Sequence, residues 1–142
     1  MAKLSIQTLM KLDRDKVMEV PSKEVKAVHL SNLLGEDSYI TIKALSGNQY
    51  TDLISTARNK KNDLDMSKMF RAQSLIVVEG VTDPSLKDSE LQKHFGVASP
   101  VDLAQILFPG GELTAVFGEI AKLSGFMDSD DSDDDLEEEV KN

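Results

Sequence analysis

Apolar and polar positions alternate most cleanly over Ser38–Leu45, where Ile40, Ile42 and Ala44 face one way and Tyr39, Thr41 and Lys43 the other. A period of two is that of a half-buried strand. A weaker alternation over Lys23–Leu30 sets Val25 and Val28 against Lys23, Glu24 and Lys26 and predicts a second strand, with Asn32–Asp37 as the turn between them. The pair reads as an antiparallel hairpin with a loop longer than two residues. A lone hairpin is marginal in water, so this one must pack on helices or pair with more strand. An edge left unpaired is a place where a partner can add a strand.

The rest of the chain follows the helical period. Residues 2–12 put Leu4, Thr8 and Leu12 on one line, with Ile6, Leu9 and Met10 nearby, and predict a short amphipathic helix. It either docks on the protein's own core or serves as a detachable segment for a partner. Residues 13–22 are polar, end in Pro21-Ser22 and read as linker. Ser46 with Gln49 forms a capping box for a helix from about Gly47 to Lys60, whose apolar stripe is Tyr50, Leu53, Ile54 and Ala57. Asp63 or Asp65 can cap the next helix, about Met66 to Glu79. With Met66, Met69, Phe70, Ala72, Leu75, Ile76 and Val77 it is the most hydrophobic of all and belongs at the centre. Gly80 ends it.

Three short helices then follow between Asp83 and Phe126. Asp88 caps Ser89–Phe95 and Gly96 stops it. Ser99-Pro100-Val101-Asp102 combines an N-cap, a proline at N1 that needs no donor, and a first-turn acid. That helix runs through Leu103, Ala104, Ile106, Leu107 and Phe108, apolar nearly all round, until Pro109-Gly110-Gly111. The last helix carries Leu113, Val116, Phe117, Ile120 and Leu123 and closes at Gly125. Connections this short force the helices back on one another. The fold class is therefore α+β and mainly helical: an N-terminal β-hairpin packed on a bundle of short helices.

Size and charge refine this picture. A chain of 142 residues with 40% hydrophobic content fits one compact domain over 1–126, with the short helix and hairpin in 1–45 and the helical part in 46–126. The net charge of −9 is concentrated: residues 127–142 hold six Asp and three Glu against one Lys, a net of −8, which leaves −1 for residues 1–126. That composition predicts a disordered acidic tail, which either solvates the chain or contacts a partner. No basic stripe runs through the folded part, so nucleic-acid binding is not expected. The one basic cluster, Arg58–Asn62, reads as a solvated helix end, or as a surface for an acidic partner such as the chain's own tail. No apolar run reaches membrane-spanning length and no signal-peptide core opens the chain, which points to the cytoplasm.

Candidate chemistry is sparse. With zero Cys, thiolate metal sites, disulfides and cysteine nucleophiles are excluded. His29 and His94 stand apart, no Gly-x-Ser-x-Gly is present, and Gly110-Gly111 lacks the Lys-Ser/Thr of a phosphate-binding loop. A calcium-loop alignment from Asp128 to Glu139 fails because Asp133 occupies the glycine position. No catalytic, cofactor-binding or metal-binding residue is assigned, and no enzymatic activity is expected.

The residues Asp83, Pro84, Leu86, Lys87, Asp88, Glu90, Leu91, Gln92, Phe95, Gly96 and Val97, then Asp102, Leu103, Leu107, Pro109, Gly110 and Glu112, then Gly125 and Phe126, form a pattern. Together with the acidic ending Leu136–Asn142, it resembles the phage tail assembly chaperone family of the XkdN-like type. Gly111 lengthens the Pro-Gly turn relative to that pattern. The resemblance implies a chaperone for a phage or prophage particle with a contractile tail. It implies the tape measure protein as client, kept soluble before the tail tube protein polymerises around it, and a frameshifted longer form of the chain as a further partner. The alternative is a structural tail or neck subunit retained in the particle. Partner-binding candidates are Met66, Met69, Phe70, Leu107, Phe108, Leu113 and Phe117, which lie either in the core or at a partner groove.

Overall fold

The computed structural model describes residues 2–127. Its centre is the helix α5 (Met66–Gly80), against which α4 (Gly47–Ile54), α7 (Pro100–Leu107) and α8 (Gly111–Leu123) pack. A three-stranded antiparallel sheet, ordered β1 (Ser22–Lys26), β2 (Tyr39–Lys43), β3 (Val81–Asp83), lies beside them. The fold is α+β and mainly helical, as the periodicity requires. The acidic-tail expectations from Asp128 onward fall outside the described residues.

The alternation of β2 is real: Ile40 and Ile42 are buried while Tyr39 is exposed. β2 pairs with β1 from Ser22↔Lys43 to Lys26↔Tyr39. Two corrections apply to the hairpin. The predicted strand to Leu30 stops at Lys26, and the expected turn is a helix, α3 (Val28–Leu34), closed by Gly35 in the left-handed region at φ 77°. Its first turn is capped from a distance: the carboxylate of Glu112, at the start of α8, accepts from Val28 N–H at 2.8 Å and His29 N–H at 3.1 Å. A cap supplied 84 residues away leaves no local signature. The second correction is β3, a strand the periodicity missed because three residues are too few to alternate. It follows α5 without a loop and pairs with β2 on the side away from β1.

The corner between α5 and β3 depends on Gly80. A Cβ there would lie 2.5 Å from Ile120 Cδ1 and 2.9 Å from two further Ile120 carbons. Glycine lets α8 approach the point where helix becomes strand. The apolar stripe of α8 (Leu113, Val116, Phe117 and Ile120) is buried throughout, with Leu103, Ala104 and Leu107 of α7 in the same cluster. Buried Ser74 is satisfied by the Phe70 carbonyl at 2.8 Å and by Gln105 Nε2 at 3.1 Å.

A further correction concerns α4, which ends at Ile54 rather than Lys60. The Ser55 and Thr56 hydroxyls bond back to the carbonyls of Asp52 (2.8 Å) and Leu53 (2.7 Å), tightening the chain into a 3₁₀ turn. The cluster Arg58–Asn62 is thus a loop, in which Asn59 Oδ1 accepts from Lys61 and Asp63 N–H, and Arg58 Nη1 donates to the Asn62 carbonyl. Asp65, not Asp63, caps α5, accepting from Ser67 N–H at 2.9 Å.

The amino-terminal stretch differs from every other part. It forms two four-residue helical turns, α1 (Ile6–Leu9) and α2 (Arg14–Val17), and no residue from 2 to 20 is buried. Of the two readings offered for residues 2–12, docking on the protein's own core is not what the structure shows.

Candidate functional site

The residues that carry the family pattern build the scaffold of the C-terminal half. Asp88 Oδ1 accepts from Leu91 N–H at 2.8 Å and Ser99 Oγ from Asp102 N–H at 3.2 Å, capping α6 (Ser89–His94) and α7. Gln92 Nε2 donates to the Leu86 carbonyl at 3.0 Å, and the Leu86 side chain is fully buried. Gly125, at φ 83°, closes α8: its own N–H bonds the Lys122 carbonyl, and Phe126 N–H bonds that of Ala121. Phe126 then stacks on Tyr50 with ring centroids 4.1 Å apart and planes 8° from parallel. Burial holds the Tyr50 phenol above its ordinary pKa of 10.0.

The seven candidate partner-binding residues divide. Leu107, Phe108, Leu113 and Phe117 are at most 7% exposed and lie in the core. Met66 is 73% exposed, Phe70 39%, and Met69 is half-buried. The division follows from an overhang. The hydrogen bonds that tie α5 to α7 and α8 start at Gln73, which accepts from Thr114, and Ser74, which accepts from Gln105. Met66 and Phe70 sit four residues apart on one helical line, one to two turns before that cover begins.

A longer run of exposed apolar side chains among the described residues lies elsewhere. Leu4, Ile6, Leu9, Met10, Leu12, Val17, Met18 and Val20 are all exposed, from 49% to 79%. Burying side chains of this kind is worth roughly 1.5–3 kcal/mol each, and the fold forgoes that gain at eight positions. Helical turns of four residues are not self-supporting in water. Such a stretch is suited to being completed by another protein. A smaller bare patch is formed by Val28, Leu33 and Leu34 on α3. Reading α3 as strand and turn concealed it; an apolar pair, Leu33-Leu34, inside a supposed turn was the available signal.

Among the described residues no cluster of three metal-ligating side chains occurs, and no helix is long and apolar enough to cross a membrane. Two hollows, beside Asp13–Glu19 and beside Pro84–His94, are open to solvent. His94 faces the ring edge of Phe95 at 4.9 Å, while His29 lies on α3, its backbone N–H held by Glu112.

The model of a protein family described as "Phage XkdN-like tail assembly chaperone protein, TAC" matches residues 6–141. No curated protein matches the chain. The crystal structure of the protein yqbn is similar at TM-score 0.55 and 20% identity, over 82% of this chain and 98% of that one. At that identity the likeness establishes the fold alone.

Proposed function

Because this chain belongs to the XkdN-like phage tail assembly chaperone family, we propose that it binds the tape measure protein in the host cytoplasm and keeps it soluble until tail tube subunits polymerise around it. The observation that carries this reading is the run of eight exposed apolar side chains between Leu4 and Val20. On this reading the tape measure is the client, and an exposed apolar arm rich in Leu, Met and Val can adapt to successive stretches of it. Met66, Met69 and Phe70 at the bare end of α5 offer a second contact. The four core residues of the candidate set hold the scaffold. The role needs no catalytic group, and release comes from competition by the tube protein.

The test is co-expression with the tape measure protein of the same genome. The native chain should hold the tape measure in the soluble fraction and co-purify with it. Substituting Ile6, Leu9 and Met10 together by Ser should abolish both effects with little change in thermal stability, since none of the three is buried. A tape measure that precipitates with the native chain, or one that is rescued equally by the triple variant, would overturn the reading. Mass spectrometry of purified particles supplies a separate check: a chaperone is absent from them, whereas a retained subunit is stoichiometric.

A further inference from the structure

The bare end of α5 has a charge as well as an apolar character. Between Arg58 and Arg71 lie five bases (Arg58, Lys60, Lys61, Lys68, Arg71) and two acids, a net of +3, whereas the rest of residues 1–126 sums to −4. Leu64, Met66 and Phe70 are exposed in the same stretch. The surface therefore asks for an occupant that is acidic and carries a few apolar side chains. The chain supplies one. Beyond Met127 the only apolar residues are Leu136 and Val140, four apart, with Glu137, Glu138 and Glu139 between them.

We propose that the Leu136–Val140 segment docks in cis on the first turns of α5 and the Arg58–Lys61 loop, its Leu and Val against Leu64, Met66 and Phe70 and its acids against the bases. The geometry permits it. The chain leaves the fold at Met127, next to Phe126, which is stacked on Tyr50 of α4. From Tyr50 the helical path to Ala57 rises only about 10–14 Å, and the Ala57 carbonyl accepts from Asp65 N–H at the start of α5, at 2.7 Å. Eight residues lie between Met127 and Leu136, nine steps of the chain that span up to about 30 Å when extended. A tether of that length gives a high effective concentration, so weak contacts suffice. Docking goes beyond the chaperone reading and stands whether or not the client is a tape measure. Its consequence is that any partner using Met66 and Phe70 must first displace the chain's own tail.

The native chain has no cysteine, so Ser132→Cys in the full chain accepts a single nitroxide label, with the methionine methyl signals as the readout. At low ionic strength the Met66 and Met69 methyls should lose most of their intensity, while Met10 and Met18 keep theirs. Adding salt to about 1 M, where screening acts over roughly 3 Å, should restore the signals, as should Leu136→Ser with Val140→Ser at low salt. Three outcomes would overturn the proposal. Met66 and Met69 could keep full intensity. The broadening could persist in the Leu136→Ser/Val140→Ser chain, which leaves only diffuse charge attraction. Or it could pass from labelled to unlabelled molecules in a mixture, which assigns the surface to the tail of a second copy.

Discussion

At the scale of single residues, two positions carry consequences out of proportion to their size. Gly80 admits Ile120 where α5 turns into β3. Gly80→Ala gains helix propensity but drives a methyl into a buried side chain, and overpacking of that kind costs about 1–3 kcal/mol. Urea denaturation should show the loss, and Ile120→Val in the same chain should recover part of it. Glu112 caps α3 with both carboxylate oxygens, at 2.8 and 3.1 Å. Glu112→Ala should cost about 1–2 kcal/mol, within the range for lost caps, and should speed hydrogen exchange at Val28 and His29 before other amides.

Two titrations belong at the same scale. Burial raises the Tyr50 pKa above its ordinary 10.0. The folded state holds that proton more tightly, so the contribution to stability is complete below 10.0 and is lost as pH climbs through the folded value. Phe126→Ala exposes the ring and should bring the phenolate transition, followed by ultraviolet absorbance, back toward the ordinary value. Asp65 shifts the opposite way, because the Ser67 hydroxyl and then its backbone N–H favour the carboxylate. Its contribution is present above the ordinary 3.8 and is lost as pH falls through the lowered value.

At the scale of elements, α5 does two jobs along its length. From Ala72 onward it is the central core helix, and before that Met66 and Phe70 are exposed and Met69 is half-buried. Mutations should therefore divide by position rather than by hydrophobicity. Leu113→Ala, at a fully buried site facing this core, should cost about 2–5 kcal/mol. Met66→Ser, at 73% exposure, should stay within about 0.5 kcal/mol of the native chain. Thermal unfolding of the two variants side by side checks both. The sheet shows a related economy. β2 is covered on both sides by β1 and β3, and the outer strand β1 carries Lys23, Glu24 and Lys26, the charged kind of edge that discourages pairing.

At the scale of the molecule, burial and exposure are segregated along the chain. A packed unit runs from the first strand to Phe126, preceded by a stretch whose apolar side chains all face water. Exposing so much apolar surface is a solubility cost with no return in the isolated chain. It becomes useful when another protein covers it.

What the sequence determined by itself was everything with a local cause. Caps at Ser46, Asp88 and Ser99, the glycine stops at Gly96 and Gly125, the helical stripe of α8 and the alternation of β2 each reside within a few neighbouring residues, so pattern and chemistry reveal them. The family pattern was legible for the same reason, being made largely of these caps, stops and core positions. Tertiary structure alone decided what depends on distant contacts. Whether Met66 and Leu107 were core or surface turned on how far α7 and α8 reach along α5. Val28–Leu34, read as the end of a strand and part of a turn, is a helix whose cap is a carboxylate from α8. Whether the N-terminal turns lay on the core or in water turned on tertiary contacts that no local pattern specifies, and no residue from 2 to 20 is buried. In each case two apolar patterns look alike along the chain, and only the presence or absence of a covering element separates them.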